Sequence, residues 1–388
     1  MKILFTGGGT GGHIFPIVSV CREIKSLQIS ALLPSSPDHK KRAWKGLGFY
    51  YIGPKDSFSE IFLFQEGIEI KSIFAGKLRR YSTPLSIIQN FIDIVFRFPI
   101  GIVQAFLHIF FIAPDLIFSK GGFGSLPVTI AGRLLSVPIF LHESDVVPGL
   151  ANKISSRFAS IIFTSFPKTE YFPLRKIILA GAPVRKDLLQ GSKEEAERIF
   201  ELTREKPLIL ILGGSQGSQR INYIILEILP ELLENFELIH QCGDQNYKQI
   251  EAEANVVMNE EFKKYYHLTP FIKEDELRHA FEAADLIVSR AGSNSIFEIA
   301  AVGKPSILIP LPESAQAHQL KNAYAYILKN RALVLEEENL TPRFFLDRLK
   351  DLFSHPQMLD EMGEEAKNFA RPEAAEIIAQ NLMRFLSG

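Results

Sequence analysis

Five glycines within residues 7–12 constrain the fold of this chain more than any other feature. They follow a short apolar run at residues 3–5 and precede a helical pattern that opens at Pro16 and continues to Leu27. An apolar strand, a glycine loop and a helix, in this order, are typical of the first unit of an open parallel α/β sheet. In such a unit, backbone N–H groups and the helix N-terminus can approach an anionic ligand closely, because glycines place no side chain in the way.

The first glycine loop also satisfies G-x-G-x-x-G, the fingerprint of dinucleotide-binding folds. That fingerprint requires an acidic residue about 20 positions further on, at the end of the second strand, to hold a ribose. We place the second strand at residues 29–33, and it ends in Pro34 and two serines rather than in an acid. The missing acid disfavours a dinucleotide-dependent oxidoreductase, which stays an alternative. His13 is then the one side chain with acid–base capacity at the loop, either as a general base or as a cap that hydrogen-bonds the loop.

The composition favours two domains without a nucleic-acid partner. The chain has 388 residues, and 46% of them are hydrophobic, which suffices for two sizeable cores. Its formal net charge of -1 provides no global field for nucleic acid. Cys21 and Cys242 lie in opposite halves and can build neither a disulfide framework nor a zinc cluster. We therefore expect the protein to reside in the reducing cytoplasm. The N-terminus leads straight into a strand, and we expect no signal peptide.

Strand and helix patterns alternate along the chain and restart after a break near Pro183. Further strands are predicted at residues 50–52, 115–119, 138–141, 161–164, 177–179, 208–212, 237–241, 266–269, 286–289 and 306–310. The fold class is therefore α/β, with two doubly wound Rossmann-like domains facing a cleft. Residues 1–184 form the first domain and residues 185–372 the second, and a C-terminal helix at 373–388 packs back on the first domain.

An apolar segment in the first half stands apart from this alternation. Lys77, Arg79 and Arg80 precede residues 87–111, a run of more than 20 mostly apolar residues that several polar side chains interrupt. A helix spanning a membrane with so many polar groups would be costly. We expect an amphipathic pair of helices instead, and the sequence leaves open whether they belong to the core or contact a membrane surface.

Three glycine loops, at residues 7–12, 121–124 and 213–217, indicate a ligand that carries a diphosphate. None of them has the Walker A sequence, and no Asp-x-Asp pair occurs. An enzyme that releases a diphosphate from such a ligand would stabilise the leaving diphosphate with helix N-termini and hydrogen-bond donors, without a metal or a cofactor. Glu298 lies one turn into the helix that follows Ser293, where a carboxylate can bond both hydroxyls of a ribose or simply stabilise the first turn.

Taken together, these motifs resemble those of the MurG family, and the resemblance covers nearly the whole chain in order. The motifs lie at residues 7–13, 121–123, 142–143, 181–185, 213–217 and 290–298. The resemblance implies a GT-B fold and inverting transfer of N-acetylglucosamine from its UDP ester, UDP-GlcNAc, to lipid I. The acceptor would be the C4 hydroxyl of the N-acetylmuramic acid of this undecaprenyl-pyrophosphoryl pentapeptide, and the product lipid II, for peptidoglycan synthesis.

The resemblance also implies roles for individual residues. His13 matches the catalytic base, Ile272 a backbone contact with uracil, Glu298 the ribose ligand and Gln319 a residue that reads sugar hydroxyls. The full set that matches UDP-GlcNAc contacts is Thr10, Gly11, Gly12, Asp145, Arg185, Ser215, Ile272, Ser293, Asn294, Ser295, Glu298 and Gln319. Loops for the acceptor and the diphosphate match at Gly121, Gly122, Phe123, Gly213 and Gly214. The chain departs from the family pattern at Asp145, where many members have Asn, at His318, where others have Gln, and at Phe123, which replaces a common Tyr.

The partners that the resemblance implies are UDP-GlcNAc, lipid I, an anionic membrane surface and other cell-wall synthesis proteins, with no nucleic acid, no cofactor and no metal. It places the protein peripherally on the cytoplasmic face of the plasma membrane. The alternatives are another GT-B glycosyltransferase with a lipid or natural-product acceptor, the oxidoreductase named above, and a nucleotide-sugar-binding module that has lost turnover. Retention of both His13 and Glu298 argues against the last.

Overall fold

The computed structural model describes residues 1–8, 11–32, 46–76, 84–167, 170–214, 217–328 and 331–387. It divides the chain into two compact units. The first, called the first domain below, comprises residues 1–184 and 372–388, and the second domain comprises residues 185–371. Each domain is built on one parallel β-sheet.

The first domain contains a seven-stranded sheet in the order β3-β2-β1-β4-β5-β6-β7, with every neighbouring pair parallel. Its strands are β1 (Lys2–Thr6), β2 (Gly48–Pro54), β3 (Glu69–Ile73), β4 (Leu116–Ser119), β5 (Ile139–Glu143), β6 (Ile161–Thr164) and β7 (Ile177–Leu179). The helices are α1 (Gly11–Leu32), α2 (Ser57–Gln65), α3 (Pro84–Ile92), α4 (Phe98–Ile112), α5 (Leu126–Leu134) and α6 (Leu150–Ser155). Because the order reverses at β1 and β4, the loops after these two strands diverge and leave room for a ligand at the carboxyl edge of the sheet.

The second domain contains a six-stranded parallel sheet in the order β10-β9-β8-β11-β12-β13. Its strands are β8 (Leu208–Leu212), β9 (Glu237–Gln241), β10 (Tyr266–Thr269), β11 (Leu286–Ser289), β12 (Ser306–Leu308) and β13 (Leu333–Val334). Its helices are α7 (Lys193–Phe200), α8 (Gln219–Glu227), α9 (Leu229–Asn235), α10 (Tyr247–Val257), α11 (Glu274–Ala283), α12 (Ser293–Val302), α13 (His318–Tyr326), α14 (Pro342–Ser354) and α15 (Pro356–Phe369). The predicted fold class of two Rossmann-like α/β domains is confirmed.

The last helix, α16 (Ala374–Leu386), belongs to the first domain. Its buried face, which includes Ile378 and Leu382, shares one apolar core with α1 and with Phe5 and Phe140 of the sheet. The ring of Phe385 also meets that of Phe140, with 5.1 Å between their centroids. The core of the first domain is therefore assembled from the two ends of the chain.

Most predicted strands are confirmed to within two residues, but two predictions around α1 are wrong. The helix begins at Gly11 rather than at Pro16, and it continues to Leu32, so the strand expected at residues 29–33 is not formed. The proline lies inside the helix, where it removes a backbone hydrogen bond. Burial of Ile17, Val20 and neighbouring apolar side chains against the sheet offsets that loss. A short apolar run such as 29–33 does not distinguish a strand from a helix end.

The apolar segment forms one continuous helical stretch rather than the expected pair of helices. A five-residue π-helical segment, Asp93–Arg97, joins α3 to α4 without a break. The inward face of α4 carries small residues such as Gly101, where an added Cβ would lie 1.9 Å from the carbonyl oxygen of Phe74. By length and composition, Ile88–Ile112 is the one candidate membrane span among the described residues, and 17% of the 18-residue apolar window within it is buried. Most of this helix therefore faces outward.

Candidate active site

In the first domain, the first glycine loop and the loop after β4 enclose His13. This residue lies in the first turn of α1. An added Cβ at Gly8 would lie 3.0 Å from His13 Nδ1, and one at Gly122 would lie 2.9 Å from His13 Nε2. Only glycine therefore lets both loops approach the two ring nitrogens, and Gly122 additionally has a φ of +83° that favours glycine.

The pKa of His13 is lowered to about 4 by burial and by the nearby charge of Lys120, while Asp145 opposes the shift. The pKa of His13 therefore lies well below the 6.5 of an ordinary histidine. The imidazole is therefore neutral at neutral pH, the form in which one ring nitrogen is a donor and the other an acceptor.

Lys120, which follows β4 directly, is the main site residue that sequence reasoning missed. Its ammonium donates a hydrogen bond to the Ser144 hydroxyl, and 3% of the residue is exposed. Burial lowers its pKa to about 8, against the charges of Glu143 and Asp145. The available signal was a lysine between an apolar strand and a Gly-Gly pair, at the carboxyl edge where these sheets bind ligands.

His142 and Glu143, at the end of β5, are held by separate partners and do not form a dyad. Glu143 accepts hydrogen bonds from the Asp145 backbone N–H at 2.9 Å and from Asn152 Nδ2 at 2.7 Å. Burial and the Asp145 charge raise the pKa of Glu143 to about 7. His142 Nε2 lies 3.0 Å from the carbonyl oxygen of Gly181, which it can only engage as a donor. These bonds fix the loop that carries Asp145.

The loop after β4 leads into α5 through a tight turn. Gly121 and Gly122 have φ angles of +88° and +83°, and an added Cβ at Gly121 would lie 2.2 Å from Asn152 Oδ1. Phe123 then begins a short 3₁₀ helix, Phe123–Ser125. The predicted site residues Gly11, Gly12, Asp145, Gly121 and Gly122 are thus brought to the carboxyl edge of the sheet with His13. Thr10, like Lys77, Arg79 and Arg80, lies outside the described residues.

In the second domain, Glu298 is held by an ion pair with Arg185. Arg185 Nε and Nη2 both donate to Glu298 Oε1, at 3.1 and 2.9 Å, and Glu274 Oε2 lies 3.8 Å from Arg185 Nη1. The guanidinium is buried and the carboxylate is largely so. Arg185 therefore fixes the position of the predicted ribose ligand.

Glu298 projects from α12, whose first turn contains Ser293, Asn294 and Ser295. The residue before this helix, Gly292, makes no side-chain cap, so the first N–H groups of the helix are not covered by one. A helix N-terminus of this kind attracts phosphate oxygens through its N–H groups and its dipole.

The loop after β8 is organised by two side chains that sequence reasoning did not single out. Gln241 Nε2 donates to the Gly214 carbonyl at 2.9 Å, and Gln241 Oε1 accepts from the Ile272 N–H at 3.1 Å. Arg290 donates to the Ser218 hydroxyl and to the carbonyl of Ile309, and it also pairs with the buried Glu337. Gln241 and Arg290 each connect segments that are far apart in the sequence. Motifs of adjacent residues do not reveal such contacts.

The remaining predicted residues of the second domain are Gln319, Gly213, Gly214 and Ser215. Gln319 is in the first turn of α13, and its Oε1 accepts from the Leu311 N–H at 2.9 Å. Gly213 and Gly214 follow β8 directly, and Gly214 has a φ of +88°. Ser215 lies outside the described residues. Throughout the part of the chain that the structure describes, no group of three or more His, Cys, Asp or Glu residues could hold a metal ion.

Two Rossmann-like domains with glycine loops at the carboxyl edges of their sheets form the GT-B fold, and the family models identify the class as glycosyltransferase. The model of the glycosyltransferase family 28 N-terminal domain matches residues 3–164, and that of the C-terminal domain matches residues 208–378. The chain belongs to glycosyltransferase family 28.

Curated relatives match nearly the whole chain. One from Clostridium tetani is 38% identical over 356 residues, which are 91% of this chain and 90% of that protein. One from Bacillus cereus is 35% identical over 387 residues, 98% of this chain and 99% of its own. Both are named as UDP-N-acetylglucosamine–N-acetylmuramyl-(pentapeptide) pyrophosphoryl-undecaprenol N-acetylglucosamine transferases.

Solved structures share the fold at low identity. The crystal structure of Acinetobacter baumannii MurG has a TM-score of 0.71 and 22% identity, with 99% of each chain covered. A UDP-GlcNAc 2-epimerase from Neisseria meningitidis has a TM-score of 0.66 and 14% identity, with 99% of this chain and 100% of that chain covered. At these identities the likeness concerns the fold alone.

Proposed function

We propose that this protein transfers N-acetylglucosamine from UDP-GlcNAc to the C4 hydroxyl of the N-acetylmuramic acid of lipid I, with inversion, and so produces lipid II. The names of relatives that are 35–38% identical over at least 90% of both chains support the substrates. The single structural observation that carries the proposal is a His13 that is neutral at neutral pH and is enclosed by Gly8 and Gly122 at the carboxyl edge of the first sheet.

The donor is bound by α12 and Glu298. The UDP diphosphate rests on the N-terminal turn of the helix, at Ser293, Asn294 and Ser295, where N–H groups and the helix dipole favour negative charge. Glu298 accepts hydrogen bonds from the ribose hydroxyls while Arg185 holds its Oε1. Gln319 and Ile272 contact the sugar and the uracil, and Gln241 orients the Ile272 backbone.

His13 acts as the general base. The C4 oxygen of the acceptor attacks C1 of the donor sugar, the bond from C1 to the diphosphate oxygen breaks, and its electron pair leaves with UDP. The neutral imidazole takes the proton of the attacking hydroxyl. A single displacement inverts the configuration at C1. Charge on the leaving UDP is stabilised by the N–H groups of α12, so the reaction uses neither a metal nor a cofactor.

The continuous helical stretch from α3 to α4 is the membrane contact. It carries exposed apolar side chains, among them Phe91, Phe96 and Phe111, which are 60%, 55% and 78% exposed. Lys77, Arg79 and Arg80 precede it in the sequence and add attraction to anionic lipids. We infer a peripheral protein on the cytoplasmic face of the plasma membrane, where its lipid-linked acceptor lies, with other cell-wall synthesis proteins as partners.

A donor and acceptor panel tests the proposal. With a lipid I analogue as acceptor, we expect transfer from UDP-GlcNAc well above that from UDP-GalNAc or UDP-glucose, and no oxidation of NADH. The His13→Gln variant, which keeps a hydrogen-bonding side chain but no base, should lose roughly 10²–10⁴-fold in kcat. Equal rates with all three donors, transfer only to an unrelated acceptor, or an undiminished His13→Gln enzyme would contradict it.

A further inference from the structure

Lys120 is a buried cation at the centre of the first domain's polar cluster. Its backbone N–H donates to the Thr6 carbonyl at 2.9 Å, and its ammonium donates to the Ser144 hydroxyl. A buried ammonium is tolerated only where other groups compensate its charge. Glu143 and Asp145 provide that compensation, but both hydrogen bonds that Glu143 is seen to accept come from other groups, Asp145 N–H and Asn152. The Lys120 ammonium therefore hydrogen-bonds Ser144 and does not form a direct ion pair with Glu143.

Lys120 and His13 are neighbours across the first glycine loop. An added Cβ at Gly7 would lie 3.2 Å from the Cβ of His13 and 3.7 Å from the Cβ of Lys120. The His13 ring is enclosed by the backbones of Gly8 and Gly122. The charged groups that act on it come from two other segments: Lys120 after β4, and Asp145 after β5.

The charge of Lys120 also acts on a second imidazole, that of His142. His142 is fully buried on β5, and its Nε2 is engaged by the carbonyl of Gly181. Within the described residues its Nδ1 has no hydrogen-bond partner. Burial and the charge of Lys120 both lower its pKa. The charge of Lys120 thus disfavours a proton on both imidazoles.

We propose that Lys120 is a positioning residue for the transfer reaction: its charge, anchored by Ser144, balances that of Asp145 beside His13, so that the imidazole remains neutral to a lower pH than burial alone would give. The inference rests on the proposed function only for the role of His13 as base. The balance of charges around His13 is itself independent of any substrate. Without Lys120, burial would still disfavour the imidazolium, but Asp145 would act on His13 without an opposing cation.

Titration of His13 in the free protein tests this without turnover. In chains labelled with ¹³C at histidine Cε1, the His13 signal is assigned as the one missing from His13→Gln. We expect Lys120→Met to raise the pKa of His13 from about 4 toward, but not beyond, its ordinary 6.5, because burial persists. Lys120→Arg, which keeps the charge, should leave it low. The control is Lys176→Met, which removes another partly buried lysine of this domain, one that bonds the carbonyls of Ser156 and Ala159.

The pH profile of transfer gives the second readout. The acid limb of kcat/KM should begin at higher pH in Lys120→Met, with the KM for UDP-GlcNAc unchanged, and Lys120→Arg should restore it. An unmoved His13 titration in a folded Lys120→Met overturns the inference, as does a raised KM for the lipid I analogue with an unmoved titration, which would make Lys120 a direct substrate ligand. If the wild type transfers nothing, the proposed function fails, and the titration still decides the effect of Lys120 on His13.

Discussion

A single guanidinium, that of Arg185, fixes the carboxylate of Glu298, which we propose as the ribose ligand of the second domain. Glu298 Oε1 accepts two hydrogen bonds from Arg185, and Arg185 is itself buried and close to Glu274. Buried, doubly bonded Arg–carboxylate contacts are geometrically specific as well as strong. The orientation of the Glu298 carboxylate therefore depends on Arg185.

We expect Arg185→Met and Glu298→Ala each to weaken UDP and UDP-GlcNAc binding to the same extent, because both ligands carry the ribose. A lost hydrogen bond to a charged group costs about 1.5–3 kcal/mol, so the Kd measured calorimetrically should rise roughly tenfold to a hundredfold. Arg198→Met is the matched control, since Arg198 pairs with Glu195 on the surface of the same domain. Unchanged UDP affinity with a lower kcat would show that Glu298 serves another step.

The sequence places Glu298 correctly on its helix but does not reveal its partner. Arg185 lies 113 positions away, and only the folded second domain brings the two together. Lys120 escapes prediction for a different reason. A lysine that ends a strand is ordinarily solvated, so that its burial, and with it the low pKa of His13, depends on how three loops close around it.

Among the elements, the continuous helix from α3 to α4 is distinguished by the amount of apolar surface it leaves exposed. Its buried residues are mostly small or lie on one side, such as Gly101, Ala105 and Ile109, at a spacing of four that keeps them on one face. Phe96, Val103 and Phe110 are more than half exposed. Contiguous apolar surface of this kind marks an interaction site.

We expect the triple variant Phe91→Ser, Phe96→Ser, Phe110→Ser to lose binding to vesicles of phosphatidylcholine and phosphatidylglycerol. Partial insertion of each ring contributes on the order of 1 kcal/mol, so partitioning in a sedimentation assay should fall roughly a hundredfold. Val256→Ser, at an exposed apolar position of the second domain, should bind as the wild type does. If the triple variant partitions equally, this helix is not the membrane contact.

The elements also show where local pattern stops being informative. The strands that precede the glycine loops follow from short-range signals, and the structure confirms them to within two residues. The bounds of α1 do not follow from such signals, because a proline at its sixth position and a short apolar run near its end argue locally for a shorter helix. Packing of Ile14, Ile17 and Ile24 against the sheet outweighs that preference. The sequence analysis does not predict the edge strands β3 and β13. Apolar and polar residues alternate little in β3, and β13 has only two residues.

For the whole molecule, the stability of the first domain depends on the far end of the chain. Ile378 is fully buried in the core that α16 shares with α1. We expect Ile378→Ala to lower the free energy of unfolding of this domain by about 2–5 kcal/mol. Gln380→Ala, on the exposed face of the same helix, should change it little.

Urea unfolding followed with and without UDP separates the two domains in this measurement. UDP stabilises only the domain that binds it, which we place in the second. Ile378→Ala should therefore move the transition that UDP leaves in place. A shift confined to the UDP-sensitive transition would contradict the assignment of α16 to the core of the first domain.

The return of α16 to α1 also has a consequence for how the chain folds as it leaves the ribosome. At roughly 5–20 residues per second, the interval between synthesis of Val184 and of Leu386 lasts about ten to forty seconds. Throughout that time the surface of α1 that α16 will cover remains open to water, whereas the second domain emerges as one uninterrupted segment that can fold before α16 is made. Nascent chains of this protein thus present an apolar groove to chaperones until α16 has been synthesised.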